Sequence, residues 1–109
     1  VTDEAPEIDI DTLVTHLEAG AMVVDVREDD EYRDGHVPGA VHIPLATVPD
    51  ALDRLPSGEP VYVVCAVGGR SAQAVSFLRT NGIEATNVAG GTKAWIEAGK
   101  PVVVGSDPL

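Results

Sequence analysis

The chain has 109 residues and a formal net charge of -11, from 18 acidic and 7 basic side chains, with 44% apolar residues. That length suits one domain burying roughly 65% of its unfolded surface, and so acidic a surface repels nucleic acid and anionic membranes, which argues against both as partners. One cysteine excludes an internal disulfide, and no apolar run approaches the length of a membrane span.

Residues 1–7 read as an acidic lead-in with neither the charged nor the apolar region of a signal peptide. With the lone thiol this points to a cytoplasmic protein. Glu7–Ile10 reads as a short first strand. Asp11 is placed to cap a helix over Thr12–Ala19, with Leu13, Val14 and Leu17 on one face and Gly20 as its stop. Met22–Val26 is a nearly continuous apolar run, the mark of a strand buried on both faces. Arg27–Asp34 predicts a short helical turn, Gly35–Gly39 a loop, and Ala40–Ile43 a short strand stopped by Pro44. A helix is expected over Thr47–Leu55, with Pro49 near its start.

Val61–Val64 reads as a buried strand that feeds Cys65. A helix follows over Ser71–Asn81, with Ala74, Val75 and Leu78 at helical spacing. Thr86–Val88 predicts another strand, and Gly90-Gly91 opens a last helix through Trp95 to Gly99. The two glycines are far short of a phosphate-binding fingerprint and read as tight strand-to-helix packing. Trp95 reads as the anchor of that helix. From Pro101 the chain is an apolar tail. Strands alternating with helices imply an α/β fold with a parallel sheet covered on both faces, and in such sheets sites form beyond the strands' carboxyl ends. Asp25, Arg27 and the segment Cys65–Ser71 all fall there.

The segment Cys65-Ala66-Val67-Gly68-Gly69-Arg70-Ser71 carries the chemistry. Gly68 and Gly69 permit backbone conformations that turn successive N–H groups inward. The following helix adds unpaired N–H groups and a partial positive charge, Arg70 adds a full one, and Ser71 is placed to cap the helix. These effects favour a thiolate, the nucleophilic form of cysteine. Alone, a single cysteine is more often a small buried hydrophobe; the glycines, the arginine and the helix start beside it turn the reading to chemistry.

At these residues the chain resembles the rhodanese family of single-domain sulfurtransferases. The loop looks like the family's active loop, with glycine three residues and arginine five residues after the cysteine. Val24–Glu28, Glu31-Tyr32 and Gly35–Pro44 look like its upstream signature, and Asn87–Gly91 with Ala94-Trp95 looks like its C-terminal one. The resemblance covers the chain from about Ile8 to Pro101, the core of a single domain over residues 1–109. It implies a three-layer sandwich with a five-stranded parallel sheet and helices on both faces. It also implies that Cys65 carries a persulfide: its thiolate takes the outer sulfur of thiosulfate or a related donor and passes it to a thiol or protein acceptor. No cofactor and no metal is implied. Many members that prefer thiosulfate have a basic residue directly after the cysteine, where this chain has Ala66.

Asp25 and Arg27 are expected to support the site from behind, Asp25 as a strand-end partner that organises the loops and Arg27 in that role or in donor binding. His36 and His42 have no metal-ligand spacing with the lone cysteine and read as structural; His16 reads as a surface residue. A phosphatase on a related fold needs a larger loop to encircle a tetrahedral oxyanion, and only four residues separate Cys65 from Arg70. The alternative function is a non-catalytic binding or sensing domain, against which the intact loop argues.

Overall fold

The computed structural model describes residues 6–109; of the lead-in, residues 1–5 lie outside them. Five strands, β1 (Glu7–Ile8), β2 (Met22–Asp25), β3 (Val41–His42), β4 (Val61–Val64) and β5 (Ala85–Val88), form one sheet in the order β1-β5-β4-β2-β3. Every pairing is parallel. The helices are α1 (Ile10–Glu18), α2 (Asp29–Asp34), α3 (Gly69–Thr80) and α4 (Gly91–Glu97), with a 3-10 segment over Leu45–Arg54. Among the described residues no helix is long and apolar enough to cross a membrane.

The period-two alternation of strand side chains splits the apolar core in two. Val24, Val61, Val63 and Cys65 face one side, where Val48 and Ala51 of the 3-10 segment and Ala74, Val75 and Leu78 of α3 cover them. Val23, Tyr62, Val64 and Val88 face the other, against Leu13 of α1, Tyr32 of α2 and Trp95 of α4. This is the expected three-layer sandwich. From β2 the chain runs outward to β3, and from β4 it runs the opposite way to β5. The neighbouring carboxyl ends of β2 and β4 therefore form the topological switch point, where a crevice opens.

The chain departs from the sequence expectations at four local points. β1 stops at Ile8, because Asp9 is the N-cap of α1: its backbone is extended and its carboxylate accepts the Thr12 N–H at 2.8 Å. Asp11 instead sits in the first turn, where its charge suits the helix dipole. The helix expected over Thr47–Leu55 is a longer 3-10 segment, because Pro49 lies inside it and removes a donor from any i-to-i-4 ladder. Helix α3 begins two residues early, capped by Gly68 in a left-handed conformation at φ +116°, so Ser71 is not the cap. His16, expected at the surface, is half-buried and stacks on Tyr62 with ring centroids 4.8 Å apart.

The tail folds back onto the upstream loop. His36 and Val103 exchange backbone hydrogen bonds at 2.9 Å, and the Gly39 N–H donates to the Pro108 carbonyl. The His36 ring is fully buried, stacked on Tyr32 at 3.7 Å, with Nδ1 2.8 Å from the Tyr32 carbonyl and Nε2 2.9 Å from the Asp107 carbonyl. His42 stacks on the other face of Tyr32. Both histidines are thus structural, as their spacing suggested.

Candidate active site

Cys65 leaves the end of β4 and turns its sulfur into the loop that joins β4 to α3. The loop's glycine makes the turn: Gly68 adopts a conformation that side chains rarely tolerate, and this aims its N–H at Cys65 Sγ at 3.0 Å. Ser71, fully buried in the first turn of α3, brings its Oγ to 3.3 Å from the same sulfur. The residue itself is only 1% exposed. Burial pushes the thiol up, but the Ser71 hydroxyl and the amides of Ser71, Gly68 and Val67 outweigh it, and the net effect holds Cys65 below its ordinary value. Of the two glycines expected to turn an amide inward, Gly68 does so and Gly69 does not; Val67 and Ser71 supply the others, and Ser71, expected as the cap, adds its hydroxyl.

The Ser71 hydroxyl has one proton and two acceptors within reach, because Oγ also bonds Asn87 Oδ1. The orientation of the Asn87 amide is fixed from its other end. Its Nδ2 faces the Glu7 carboxylate and the Gly68 carbonyl, each at 3.2 Å, and both are acceptors only. Oδ1 must therefore face Ser71. With Cys65 as a thiol, the proton order S–H to Oγ to Oδ1 satisfies all three groups. With Cys65 as a thiolate, the hydroxyl proton turns to the sulfur. Asn87 is a site residue that sequence reasoning placed only inside a signature. Its signal was a polar side chain inside an otherwise buried strand.

Arg70 makes no hydrogen bond to the sulfur, although the two still interact through charge. Its two terminal nitrogens grip Glu31 of α2 in a fork, at 2.7 Å and 2.9 Å. The pairing raises the guanidinium further above its ordinary value, while the Arg70 hydrogen bond holds the Glu31 carboxyl down to about 2. Glu31 also accepts the Glu28 N–H and closes a capping box on α2. One carboxylate therefore starts α2 and ties the Cys65–Ser71 loop to it.

Asp25 and Arg27 form a buried pair behind the loop, as expected of Asp25. Arg27 Nε and Nη2 reach the carboxylate at 2.8–3.1 Å, and Nη2 also donates to the Gly35 carbonyl. Val67 is exposed, and Ala66 is half-buried. The Gly90-Gly91 turn packs against the loop so closely that a Cβ on Gly91 would lie 2.4 Å from the Cys65 carbonyl oxygen. The Thr92 N–H donates to that oxygen and the Lys93 N–H to the Ala66 carbonyl. Trp95 anchors α4, its indole N–H donating to the Pro101 carbonyl at 2.7 Å.

The five-stranded sheet and the helices around this site have known counterparts. The model of the rhodanese-like domain family matches residues 9–98. The chain belongs to that family. A putative sulfurtransferase of Bacillus subtilis is 34% identical over 100 residues, covering 90% of this chain and 97% of that one. A sulfurtransferase of Allochromatium vinosum is 32% identical over 100 residues, covering 89% and 94%. Among solved structures, a rhodanese-related protein from Thermoplasma volcanium superposes with a TM-score of 0.85 at 35% identity, covering 91% of this chain and 98% of that one. This rhodanese-like chain thus has sulfurtransferase relatives along nearly its whole length.

Proposed function

We propose that this rhodanese-like domain is a sulfurtransferase that carries a sulfane sulfur on Cys65. The observation behind this reading is the sulfur's surround: a Gly68 N–H at 3.0 Å and a Ser71 hydroxyl at 3.3 Å, which favour the thiolate despite burial. The Cys65 thiolate attacks the outer sulfur of a donor such as thiosulfate. The donor's S–S bond breaks, sulfite leaves with the bonding pair, and Cys65 becomes a persulfide anion. An acceptor thiolate then attacks the terminal sulfur, forms its own S–S bond, and returns the bonding pair to Cys65. The two half-reactions share one covalent intermediate, so ping-pong kinetics are expected. Preorganised amides stabilise the anion of each state without rearranging.

Cys65 is the only cysteine, so no internal disulfide discharges the persulfide and the acceptor is an external molecule. A reducing compartment such as the cytoplasm keeps such a thiol free. The loop's one cation is already paired with Glu31, and Ala66 adds none. Donor binding at the sulfur therefore rests on backbone N–H groups more than on free charge. The test is intact mass after incubation with thiosulfate or inorganic polysulfide. A gain of one sulfur atom, absent in Cys65→Ser, is the expected result. No gain with either donor refutes the proposal and leaves a binding or sensing domain.

A further inference from the structure

Beside the active loop lies a pocket of about 250 Å³, lined by Arg27, Ala66, Thr92, Lys93, Ile96 and Glu97. Three of its polar groups are unspent. Thr92 is 2% exposed, and its Oγ1 is buried with no hydrogen-bond partner among the described residues. An unpaired buried hydroxyl costs about 1–3 kcal/mol, so its presence calls for a reason. Arg27 is 6% exposed. Its Nε and Nη2 are taken by Asp25 and the Gly35 carbonyl, which leaves Nη1 with no acceptor among the described residues. Lys93 is exposed and has no ion-pair partner among them. Two cationic residues and Thr92 line one concavity, with Ala66 and Ile96 as its apolar members and Glu97 as its one carboxylate.

We infer that this pocket is a subsite for the carboxylate of a small thiol acceptor. The inference rests on the sulfur-transfer reading above and names the acceptor class for it. Cys65 does not line the pocket, whereas the next residue, Ala66, does. The occupant's charge therefore sits away from its reacting sulfur and is joined to it by a short chain. The carboxylate meets Arg27 Nη1 and Lys93, accepts the Thr92 hydroxyl after a turn about its side-chain bond, and lays its methylenes along Ala66 and Ile96. Glu97 disfavours a second carboxylate. The thiolate end reaches the terminal sulfur of the Cys65 persulfide and takes it, restoring the Cys65 thiolate.

Two experiments decide the matter, one without chemistry and one with it. In the first, 3-(methylthio)propionate and its neutral counterpart 3-(methylthio)propanol are titrated into the whole chain, and the backbone amide signals of Ala66, Thr92 and Lys93 are followed. The carboxylate is expected to shift them saturably and the alcohol is not. Lys93→Ala and Thr92→Val should each weaken that binding, by about threefold for the exposed lysine. Thr92→Val should do so while the protein melts no lower than wild type, because the variant removes an unsatisfied hydroxyl. No saturable shift, or equal shifts by acid and alcohol, overturns the inference. In the second, persulfide-loaded protein is discharged by 3-mercaptopropionate or by 3-mercaptopropanol. The acid's second-order rate constant should exceed the alcohol's by about tenfold, with the ratio reduced in Lys93→Ala, where Arg27 remains, and in high salt. A ratio of one in the wild type overturns the inference. Failure to load sulfur at all refutes the sulfurtransferase reading instead, and the titration still decides whether the pocket binds carboxylates.

Discussion

Replacing Ser71 with alanine tests how the loop makes a thiolate. The hydroxyl stands 3.3 Å from Cys65 Sγ and is the only side-chain donor on it among the described residues. A hydrogen bond to a charged group is worth about 1.5–3 kcal/mol, and one pKa unit corresponds to about 1.4 kcal/mol. Without that bond the thiolate is less stable and Cys65 rises. The same proton also has a bond to Asn87 to give up when it turns to the sulfur, so the low end of that range, about 1.5 kcal/mol, is expected. Below both midpoints the thiolate fraction then falls about tenfold. Each thiolate becomes about threefold more nucleophilic as its basicity rises. Alkylation by iodoacetamide near neutral pH should therefore slow by roughly threefold. At high pH the variant's plateau should lie above the wild type's by about the same factor. The measurement is the pH profile of the alkylation rate, read by intact mass, from about pH 5 to 10 to bracket the ordinary thiol value. Asn87 Oδ1 loses its donor as well, so a stability loss of about 1–3 kcal/mol should accompany the shift. Simple loosening of the site would expose the buried thiol and speed alkylation at every pH, without the slowing near neutral pH. A midpoint that stays in place would refute the role given to Ser71 and leave the backbone amides as sole stabilisers.

The Glu31 carboxyl is held to about 2, so the Glu31–Arg70 bridge contributes stability that is full above the carboxyl's ordinary range and is lost as pH falls towards 2. Because both side chains are about a third exposed, the pair is worth only about 0.5–1 kcal/mol; Glu31→Gln should remove that much of the acid-dependent loss in denaturant titrations between pH 5 and pH 2.5, and an unchanged acid slope would show the bridge to be silent. Gly91→Ala places a Cβ against the Cys65 and Ala66 carbonyl oxygens, at 2.4 Å and 2.8 Å, where only backbone can give way, whereas a Cβ on Gly68 meets nothing closer than 3.7 Å and pays only for its backbone angle. Thermal melts should thus show Gly91→Ala losing about 2–4 kcal/mol and Gly68→Ala about 1–2 kcal/mol, and the reverse order would contradict the packing described. His36→Ala cuts the side-chain bond to the Asp107 carbonyl and the stack on Tyr32. Limited proteolysis should then nick the segment after Pro101 much faster than in the wild type, and equal protection would mean that the backbone pairing with Val103 holds the tail alone.

The central strands were legible because burial on both faces writes a continuous apolar run, as in Val61–Val64. The capping of α1 was harder to read. Asp9 and Asp11 are equally good caps by residue type, and the choice falls to Asp9 because the parallel ladder with β5 ends at Ile8, a long-range fact. The segment Leu45–Arg54 has helical amphipathicity, yet its proline sits too deep for an α-helix. The antiparallel contact of Val103 with His36 joins residues far apart in the chain, and no local pattern announces it.

At the site, the sequence pointed to the sulfur, its glycine-bearing loop and a cation beside it, but not to the carboxylate that holds that cation. Spacing alone puts Arg70 near Cys65, and an arginine beside a thiol invites the idea of direct stabilisation. What redirects it is Glu31, thirty-nine residues upstream, delivered by the capping box of α2. The consequence is a division of labour. The positive charge of Arg70 goes into fixing the loop to α2, while neutral donors, the Gly68 amide and the Ser71 hydroxyl, hold the sulfur. A full charge hydrogen-bonded to a thiolate would lower its basicity further and with it its nucleophilicity. Amides and a shared hydroxyl shift the thiol more gently, which suits the proposed role, in which the sulfur attacks a donor, survives as a persulfide, and leaves again when an acceptor arrives.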